Sequence, residues 1–232
     1  MPQRGYCGHS ETVDGESMKV DIIADTICPW CYIGKRRFER ALQIRPQPGI
    51  QVGWRAFQLN PDMPSAGMDR RHYISQKFGG VERARAVHAG IARAGFEEGI
   101  SFNFGRIERT PNTIDSHRLV RFAAERNLQN EVVEALFRAF LIEGEDIGDR
   151  DVLAALAAAN DLDRDEVREY LDSGIDAETI LAEDELARRL GVNGVPCFII
   201  DRKYAVSGAQ SPEVLVQVFD LANQEAETFA AE

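Results

Sequence analysis

Residues 19–35 read K-V-D-I-I-A-D-T-I-C-P-W-C-Y-I-G-K and contain both a short apolar segment and a pair of cysteines. The first seven of them, 19–25, are almost continuously apolar, which is typical of a buried parallel strand. A helix is predicted from Pro29 to about residue 44, because proline at the first helical position loses no hydrogen bond. Residues 50–57 predict a second strand. This order predicts a β-α-β unit with a right-handed crossover.

The two cysteines, Cys28 and Cys31, follow the first strand at the start of the helix. Residues three apart on a helix are neighbours, and Cα atoms about 5–6 Å apart suit a disulfide. Cys28 lies at the helix N-terminus, which favours a thiolate, so it is predicted to be the nucleophile. Cys31 is predicted to be the more buried, resolving thiol. A zinc site is the alternative, but the remaining cysteines and the four histidines are scattered, so no metal is expected.

The rest of the chain divides into a helical block and a second group of strands. Strands are predicted at 197–200 and 204–207 with a tight turn at 201–203, and a last helix runs from Pro212 to about residue 225. We therefore expect a core of residues 18–66 and 192–226, a helical insertion of residues 67–191, and a disordered tail of residues 1–17. The helices of the insertion are predicted near residues 70–79, 82–96, 114–127, 130–142, 150–159, 164–172 and 177–190.

The composition narrows the classes of function. The 232-residue chain has a net charge of −11, which repels phosphates and anionic lipids, so neither nucleic acid nor a membrane is an expected partner. No apolar run approaches the roughly 18 residues of a membrane helix. The polar N-terminus lacks the apolar region of a secretory signal, so we expect a cytoplasmic protein. There a C-x-x-C pair is more often catalytic or metal-binding than structural.

Four segments together resemble one protein family. D-T-I-C-P-W-C-Y-I-G-K (25–35) is similar to the active-site segment of DsbA-like thioredoxin-fold oxidoreductases. It resembles above all the FrnE-like subgroup, which is related to 2-hydroxychromene-2-carboxylate isomerases and kappa-class glutathione transferases. The resemblance covers residues 18–225 and implies an α/β thioredoxin fold with a large inserted all-helical subdomain. The other three segments are R-T-P-N-T-I-D-S-H-R-L (109–119), G-V-N-G-V-P (191–196) and S-G-A-Q-S-P-E (207–213).

The resemblance also implies a substrate site around the cysteine pair. It implies that the Val195–Pro196 peptide bond is cis and faces the pair, with an ordinary trans proline at a strand start as the alternative. The Val195 backbone is then expected to pair with a substrate peptide. The expected substrate-contacting residues are Pro29, Trp30, Val195, Pro196, Asn112, Thr113 and His117. For Asn112 and Thr113 the alternative is helix capping, and for His117 it is an ordinary surface position.

Two further cysteines leave a question open. Cys197 directly follows Pro196, where an ordinary core or polar residue is expected. It is either a small buried apolar side chain or a third redox thiol that rearranges with the pair. Cys7, in the predicted tail, is expected to be an incidental free thiol, with a resolving thiol as the alternative.

These features predict a thiol–disulfide oxidoreductase, either a protein disulfide reductase or an isomerase. The alternatives are a glutathione-dependent isomerase or transferase, whose relatives usually carry Ser at the nucleophile position, and a chaperone-like peptide-binding module. No cofactor is expected to be required, glutathione being the one small molecule that the resemblance suggests. The expected partners are protein disulfides or small thiols, and the protein is expected to be a monomer or homodimer.

The residue between the cysteines bears on the redox potential. By resemblance, Trp30 stands where the strongly oxidising DsbA carries a histidine. Tryptophan brings no positive charge, so the thiolate of Cys28 loses one stabilising partner and the couple becomes less oxidising. We expect a midpoint between about −120 and −270 mV, the values of DsbA and thioredoxin.

Overall fold

The computed structural model describes residues 17–230. The predicted tail and Cys7 therefore lie outside the described residues, apart from Ser17. Six strands are found over the described range: β1 (Lys19–Ala24), β2 (Gln51–Ala56), β3 (Met68–Asp69), β4 (Arg109–Thr110), β5 (Cys197–Ile200) and β6 (Tyr204–Ser207).

The central sheet has four strands in the order β2-β1-β5-β6. The strands β1 and β2 are parallel, with Ile22 opposite Trp54, and β5 runs antiparallel to both β1 and β6. Asp201 and Arg202, with φ of 49° and 57°, form the tight turn between β5 and β6. The predicted β-α-β unit and the predicted hairpin are both confirmed.

The helices of the described range connect the strands and form the block between β2 and β5. Three of them are preceded by an aspartate whose side chain accepts a backbone N–H of the first turn, as is typical of helix caps. The helices are α1 (Pro29–Ile44), α2 (Arg70–Phe78), α3 (Val81–Glu97), α4 (Ile114–Ala124), α5 (Gln129–Arg138), α6 (Arg150–Ala158), α7 (Arg164–Ser173), α8 (Ala177–Arg189) and α9 (Pro212–Ala230).

The sheet buries both of its faces, as the run of apolar residues in β1 predicts. On one face, Phe38 of α1 stacks on Phe198 of β5 and meets Phe219 of α9 edge-on, with ring centroids 5.7 and 6.0 Å away. On the other face, Ile23 and Ala187 belong to a smaller cluster that α8 covers. Alternate residues of a strand thus point to opposite faces of the sheet and join different clusters.

The helical block also covers the free edge of β2, the outermost strand on this side of the sheet. Its side chains accept the backbone N–H groups that this edge strand leaves free: Gln129 binds the N–H of Trp54 at 2.9 Å, and Glu183 binds that of Ala56 at 3.0 Å. Because an unpaired strand edge recruits other strands, these contacts close the sheet on this side. They also fix the block beside the C-terminal end of β1, where the cysteines follow.

The structure differs from the sequence-based expectation in a few elements. The helix predicted at 130–142 is interrupted, since α5 ends at Arg138 and Ala139–Glu143 form one π-helical turn. The helix predicted at 114–127 ends at Ala124, and the last helix continues to Ala230 instead of ending near 225. The small antiparallel pair β3–β4 lies within the stretch that predicts helices alone. Strands of two residues are too short to show a period.

Candidate active site

Cys28 lies directly before the first residue of α1, Pro29. Its backbone N–H donates to the carbonyl of Asp25 at 3.0 Å. Its thiol is buried and donates to the carbonyl oxygen of Val195, with 3.7 Å between sulfur and oxygen. Because the first N–H groups of a helix have no partner within it, this end of α1 is suited to hold a thiolate.

Cys31 lies one turn further along α1 and is completely buried. Both cysteines are free thiols, so the structure represents the dithiol form. Burial raises the pKa of the Cys31 thiol well above its ordinary value, and the neighbouring Cys28 raises it further. Cys31 is therefore a thiol that ionises with difficulty and has no exposed surface for a substrate to reach.

The predicted loop faces Cys28. The Val195–Pro196 peptide bond is cis, which confirms the expectation from the resemblance. Val195 supplies the carbonyl that contacts Cys28, and Pro196 is buried behind it. Beside the thiol, Trp30 is 40% exposed, an unusual state for so large an apolar side chain. The structure thus brings Pro29, Trp30, Val195 and Pro196 together around Cys28.

Asn112 and Thr113 have mainly local contacts. The amide of Asn112 donates to the carbonyl of Met63 at 2.8 Å, and its side-chain oxygen accepts the N–H of Ile114 at 3.0 Å. Thr113 precedes α4 without a side-chain capping bond, although its carbonyl accepts the hydroxyl of Ser116. These contacts support the capping alternative for Asn112, and a role of either residue in substrate binding stays a prediction.

His117 lies deeper than the alternative of a surface histidine allows. It is 5% exposed, and its Nε2 atom lies 3.3 Å from the carbonyl oxygen of Phe57 and 3.5 Å from Oδ1 of Asp25. His117 thus lies against Asp25, the residue three positions before Cys28.

Cys197 is buried on the other face of the sheet from Phe198. It belongs to the small cluster with Ile23, Phe57, Ala187 and Val192, whereas Cys28 and Cys31 belong to the large core. Burial raises the pKa of its thiol. These surroundings are typical of a small packing residue, and a redox role for Cys197 stays a prediction.

Asp25 is the first residue of the motif at 25–35, but the motif assigns it no role. It is the residue after β1, and its carboxylate is fully buried, accepting the backbone N–H of Leu59 at 2.7 Å. The signal in the sequence is an acidic residue at the end of an apolar strand, three positions before the first cysteine. Buried carboxylates beside reactive groups are common at functional sites.

Two residues of α2, Arg70 and Tyr73, also lie outside the sequence motifs. The guanidinium of Arg70 lies 5.4 Å from the centre of the Tyr73 ring, and the hydroxyl of Tyr73 donates to Asn60 at 3.3 Å. Burial raises the pKa of Tyr73, although the hydrogen bond to Asn60 and the charge of Arg70 act to lower it. Both residues lie on a polar helix that carries no motif, so no pattern in the sequence points to them.

Two other features of the described chain bear on its class. Within residues 17–230, no group of three or more His, Cys, Asp or Glu side chains is arranged to hold a metal ion. Over the same range, none of the helices combines the length and the apolar character needed to cross a bilayer.

A thioredoxin-type sheet with a C-x-x-C pair at the start of its first helix defines a thiol–disulfide oxidoreductase. The chain belongs to the family of DSBA-like thioredoxin domains, whose family model matches residues 19–220. It is thus a disulfide oxidoreductase of the DsbA family, with the fold that the resemblance implies.

Several solved structures share this fold. A probable DsbA oxidoreductase from Streptomyces coelicolor is 34% identical, with a TM-score of 0.82 over 90% of this chain and 91% of that chain. A 2-hydroxychromene-2-carboxylate isomerase shares the fold at 16% identity and a TM-score of 0.66, over 92% and 98% of the two chains. The cytosolic disulfide reductase DsbM from Pseudomonas aeruginosa, solved with GSH, shares it at 20% identity and a TM-score of 0.60, over 89% and 99%.

Proposed function

We propose that the protein reduces or isomerises disulfides in the cytoplasm, with Cys28 as the nucleophile and Cys31 as the resolving thiol. The observation that carries this proposal is the unequal placement of the two thiols. The thiol of Cys28 lies at the start of α1 and contacts the carbonyl of Val195, whereas Cys31 is completely buried one turn further along the helix. The substrates are protein disulfides or small disulfides, and the protein acts as a monomer or homodimer.

The reaction transfers two electrons in two steps. The Cys28 thiolate attacks one sulfur of the substrate disulfide, forming a mixed disulfide and releasing the other sulfur as a thiolate. The Cys31 thiolate then attacks Cys28, forming the Cys28–Cys31 disulfide and releasing the second substrate thiolate. The enzyme dithiol is oxidised, the substrate is reduced, and the two thiol protons pass to solvent.

The hydrogen bond from Cys28 to Val195 links chemistry to substrate binding. In the mixed disulfide the sulfur of Cys28 carries no hydrogen, so the Val195 carbonyl loses its present donor. A carbonyl that the bound substrate shields from water needs a new donor, and a backbone N–H of an extended substrate peptide is a suitable replacement. Trp30, exposed beside the thiol, offers the peptide an apolar contact.

Glutathione is the proposed electron donor, and Arg70 supports it. The side chain of Arg70 is half-buried and donates to the Thr110 hydroxyl at 3.1 Å, but none of the ion pairs of the described chain includes it, and its Nε atom has no hydrogen-bond partner there. Burial lowers the pKa of this guanidinium, so the charge is held at a cost. A carboxylate of glutathione is the kind of anion that would offset it. DsbM, which shares the fold, was solved with GSH.

The test uses single-cysteine variants and an aromatic disulfide that releases a coloured thiolate at each step. The wild-type protein is expected to release two thiolates, Cys31→Ser one, and Cys28→Ser none from the pair. Turnover of a small aromatic substrate that survives in Cys31→Ser would favour the isomerase alternative instead. Binding of unfolded chains that both variants retain, without any disulfide reduction by the wild type, would favour the binding module.

A further inference from the structure

The segment S-G-A-Q-S-P-E (207–213), which follows β6, takes no part in the dithiol chemistry itself. Its residues 208–210 form a turn directly beside the active-site loop, and we call them the 208–210 turn. The backbone N–H of Gly208 donates to the carbonyl oxygen of Pro196 at 2.7 Å. Since Val195 directly precedes Pro196, one hydrogen bond joins this turn to the loop that faces the cysteines.

Arg37 of α1 holds the 208–210 turn in place. Its Nη1 atom donates to the carbonyl oxygen of Ala209 at 2.6 Å, and its Nε atom donates to the carboxylate of Glu98 at 2.8 Å. The side chains of Arg37 and Glu98 are only 18% and 4% exposed, so salt and water screen this ion pair little. Because Nε and Nη1 belong to one planar guanidinium, Glu98 fixes the direction in which Arg37 meets Ala209.

Gly34 and Arg37 attach the loop and the turn to the same face of α1. Residues three apart on a helix are neighbours, and Gly34 packs directly against Pro196. Gly34 limits the distance between helix and loop by packing, whereas Arg37 adds a hydrogen bond with a defined direction. The helix that carries both cysteines therefore also carries two contacts that position the loop opposite them.

Arg40 shares the carboxylate of Glu98 but not the contact with the turn. Its Nη1 atom donates to the second oxygen of Glu98 at 2.7 Å, and its side chain is 49% exposed. Among the residues that the structure describes, no hydrogen bond joins Arg40 to the 208–210 turn. Helix α1 thus has two arginines that pair with the same acid and differ in this one contact.

We infer that Arg37 is a positioning residue for peptide substrates, acting through the 208–210 turn on the carbonyl of Val195. The inference rests on the proposed function, in which that carbonyl accepts a backbone N–H of the substrate. Without the hydrogen bond to Ala209, the turn and the loop bonded to it gain freedom that a bound peptide must remove again, so binding weakens. A small disulfide without a backbone N–H makes no use of the carbonyl and is not affected.

The test compares two substrates that both report attack by Cys28. One is the coloured aromatic disulfide, and the other is a short extended peptide whose single cysteine carries the same aromatic thiol in a mixed disulfide. The aromatic thiolate leaves from both, because the thiol of lower pKa is the better leaving group. The rate of colour release is measured against substrate concentration, which gives a half-saturating concentration and a maximal rate for each substrate.

Arg37→Gln should change only the binding of the peptide. Its half-saturating concentration is expected to rise roughly five-fold to ten-fold, the scale of one backbone hydrogen bond. The maximal rate with the peptide, and both values for the aromatic disulfide, should change little, because Gly34 still packs against Pro196 in this variant. A loss of stability alone would not separate the two substrates in this way.

Two further variants complete the comparison. Arg40→Gln is the matched control, since it removes the other arginine from Glu98, and it should leave both half-saturating concentrations unchanged. Arg37→Lys serves if the glutamine variant folds poorly. Its ammonium keeps the charge beside Glu98 but does not reproduce the fork that binds two partners in two directions, so the value for the peptide should rise here too.

The outcomes separate this inference from the mechanism on which it rests. Equal half-saturating concentrations of the peptide in the Arg37 and Arg40 variants would overturn the positioning role. So would an equal loss for both substrates in Arg37→Gln and Arg37→Lys, while in either case the dithiol mechanism stands. Colour release by the wild-type protein that does not depend on Cys28 would contradict the mechanism itself.

Discussion

Gly34 of α1 lies directly against Pro196. A β-carbon on Gly34 would stand 2.7 Å from Cγ of Pro196 and 3.4 Å from the ring of Phe198. Helix α1 carries the cysteine pair, and Pro196 belongs to the loop whose carbonyl contacts Cys28. The absence of a side chain at Gly34 thus sets the distance between the two parts of the active site.

Gly34→Ala is therefore expected to disturb both stability and activity. The added methyl has no space, and overpacking of this kind typically costs about 1–3 kcal/mol. Displacement of α1 from the loop would also slow the attack by Cys28. Gly90→Ala is the matched control, because a β-carbon at this helical position meets nothing within 4 Å, and it should stabilise the protein by about 0.5–1 kcal/mol. Denaturant unfolding and the release assay measure both effects. Equal behaviour of the two variants would refute the contact.

Cys197→Ala distinguishes packing from redox chemistry. Because Cys197 lies in the cluster with Ile23 and Phe57, we expect a loss of about 1 kcal/mol in the free energy of unfolding, the scale of one buried methylene. Turnover and the midpoint potential should stay as in the wild type. A shift of the midpoint, or loss of an isomerisation step with reduction intact, would instead establish a third redox thiol.

Glu98 gives the protein an acid-sensitive contact between α1 and the end of α3. Burial acts to raise the pKa of this carboxyl, but hydrogen bonds from Arg37 and Arg40, at 2.8 and 2.7 Å, outweigh it, so the pKa is lowered. A lowered folded-state pKa stabilises the fold above the unfolded value of about 4.3, and this stabilisation is lost as pH falls through the folded value.

Glu98→Gln tests that contact. At neutral pH the variant should be less stable than the wild type by up to about 1 kcal/mol, since the arginines are partly exposed. The gap should close as pH falls below about 4.3. Glu97→Gln, an exposed neighbour, serves as the control. A gap that stays constant across this pH range would show that the lost contribution is not the ionised pair.

Arg70→Gln tests the proposed binding of glutathione. Hydrogen bonds to a charged group are worth about 1.5–3 kcal/mol, so the KM for glutathione as reductant should rise roughly ten-fold or more. The rate of attack on an uncharged aromatic disulfide should change little. Arg71→Gln, at the exposed neighbouring position, is expected to leave both values unchanged. Equal KM values for the two variants would remove Arg70 from the glutathione site.

The order of strands and helices along the chain was predictable because the sequence signals for them are local. The apolar run at 20–24, Pro29 after Cys28 and the turn at 201–203 each act within a few residues, and the structure confirms all three. The π-helical turn after Arg138 and the pair β3–β4 depend on contacts with distant segments. No repeat of apolar residues with a period of 2 or 3.6 indicates either element.

The active site was predictable only where a motif carries it. Cys28 and Cys31 follow from their spacing, and Val195 and Pro196 from the resemblance. Arg70 and Tyr73 lie beside the segment after β2, where Tyr73 donates to Asn60, because of long-range packing that spacing along the chain does not reveal. Asp25 and His117 lie 92 positions apart in the sequence, and only the packing of α4 against the end of β1 brings them within 3.5 Å.

The most direct test of the dithiol centre is a titration in glutathione buffers followed by alkylation and mass spectrometry. Trypsin releases both thiols in one peptide, 20–35, since no Lys or Arg lies between Lys19 and Lys35. We predict that Cys28 and Cys31 lose and regain alkylation together, as one reversible two-electron transition with a midpoint between about −120 and −270 mV. A peptide that never forms the Cys28–Cys31 disulfide at any ratio, or forms one that glutathione never reduces, would contradict the account.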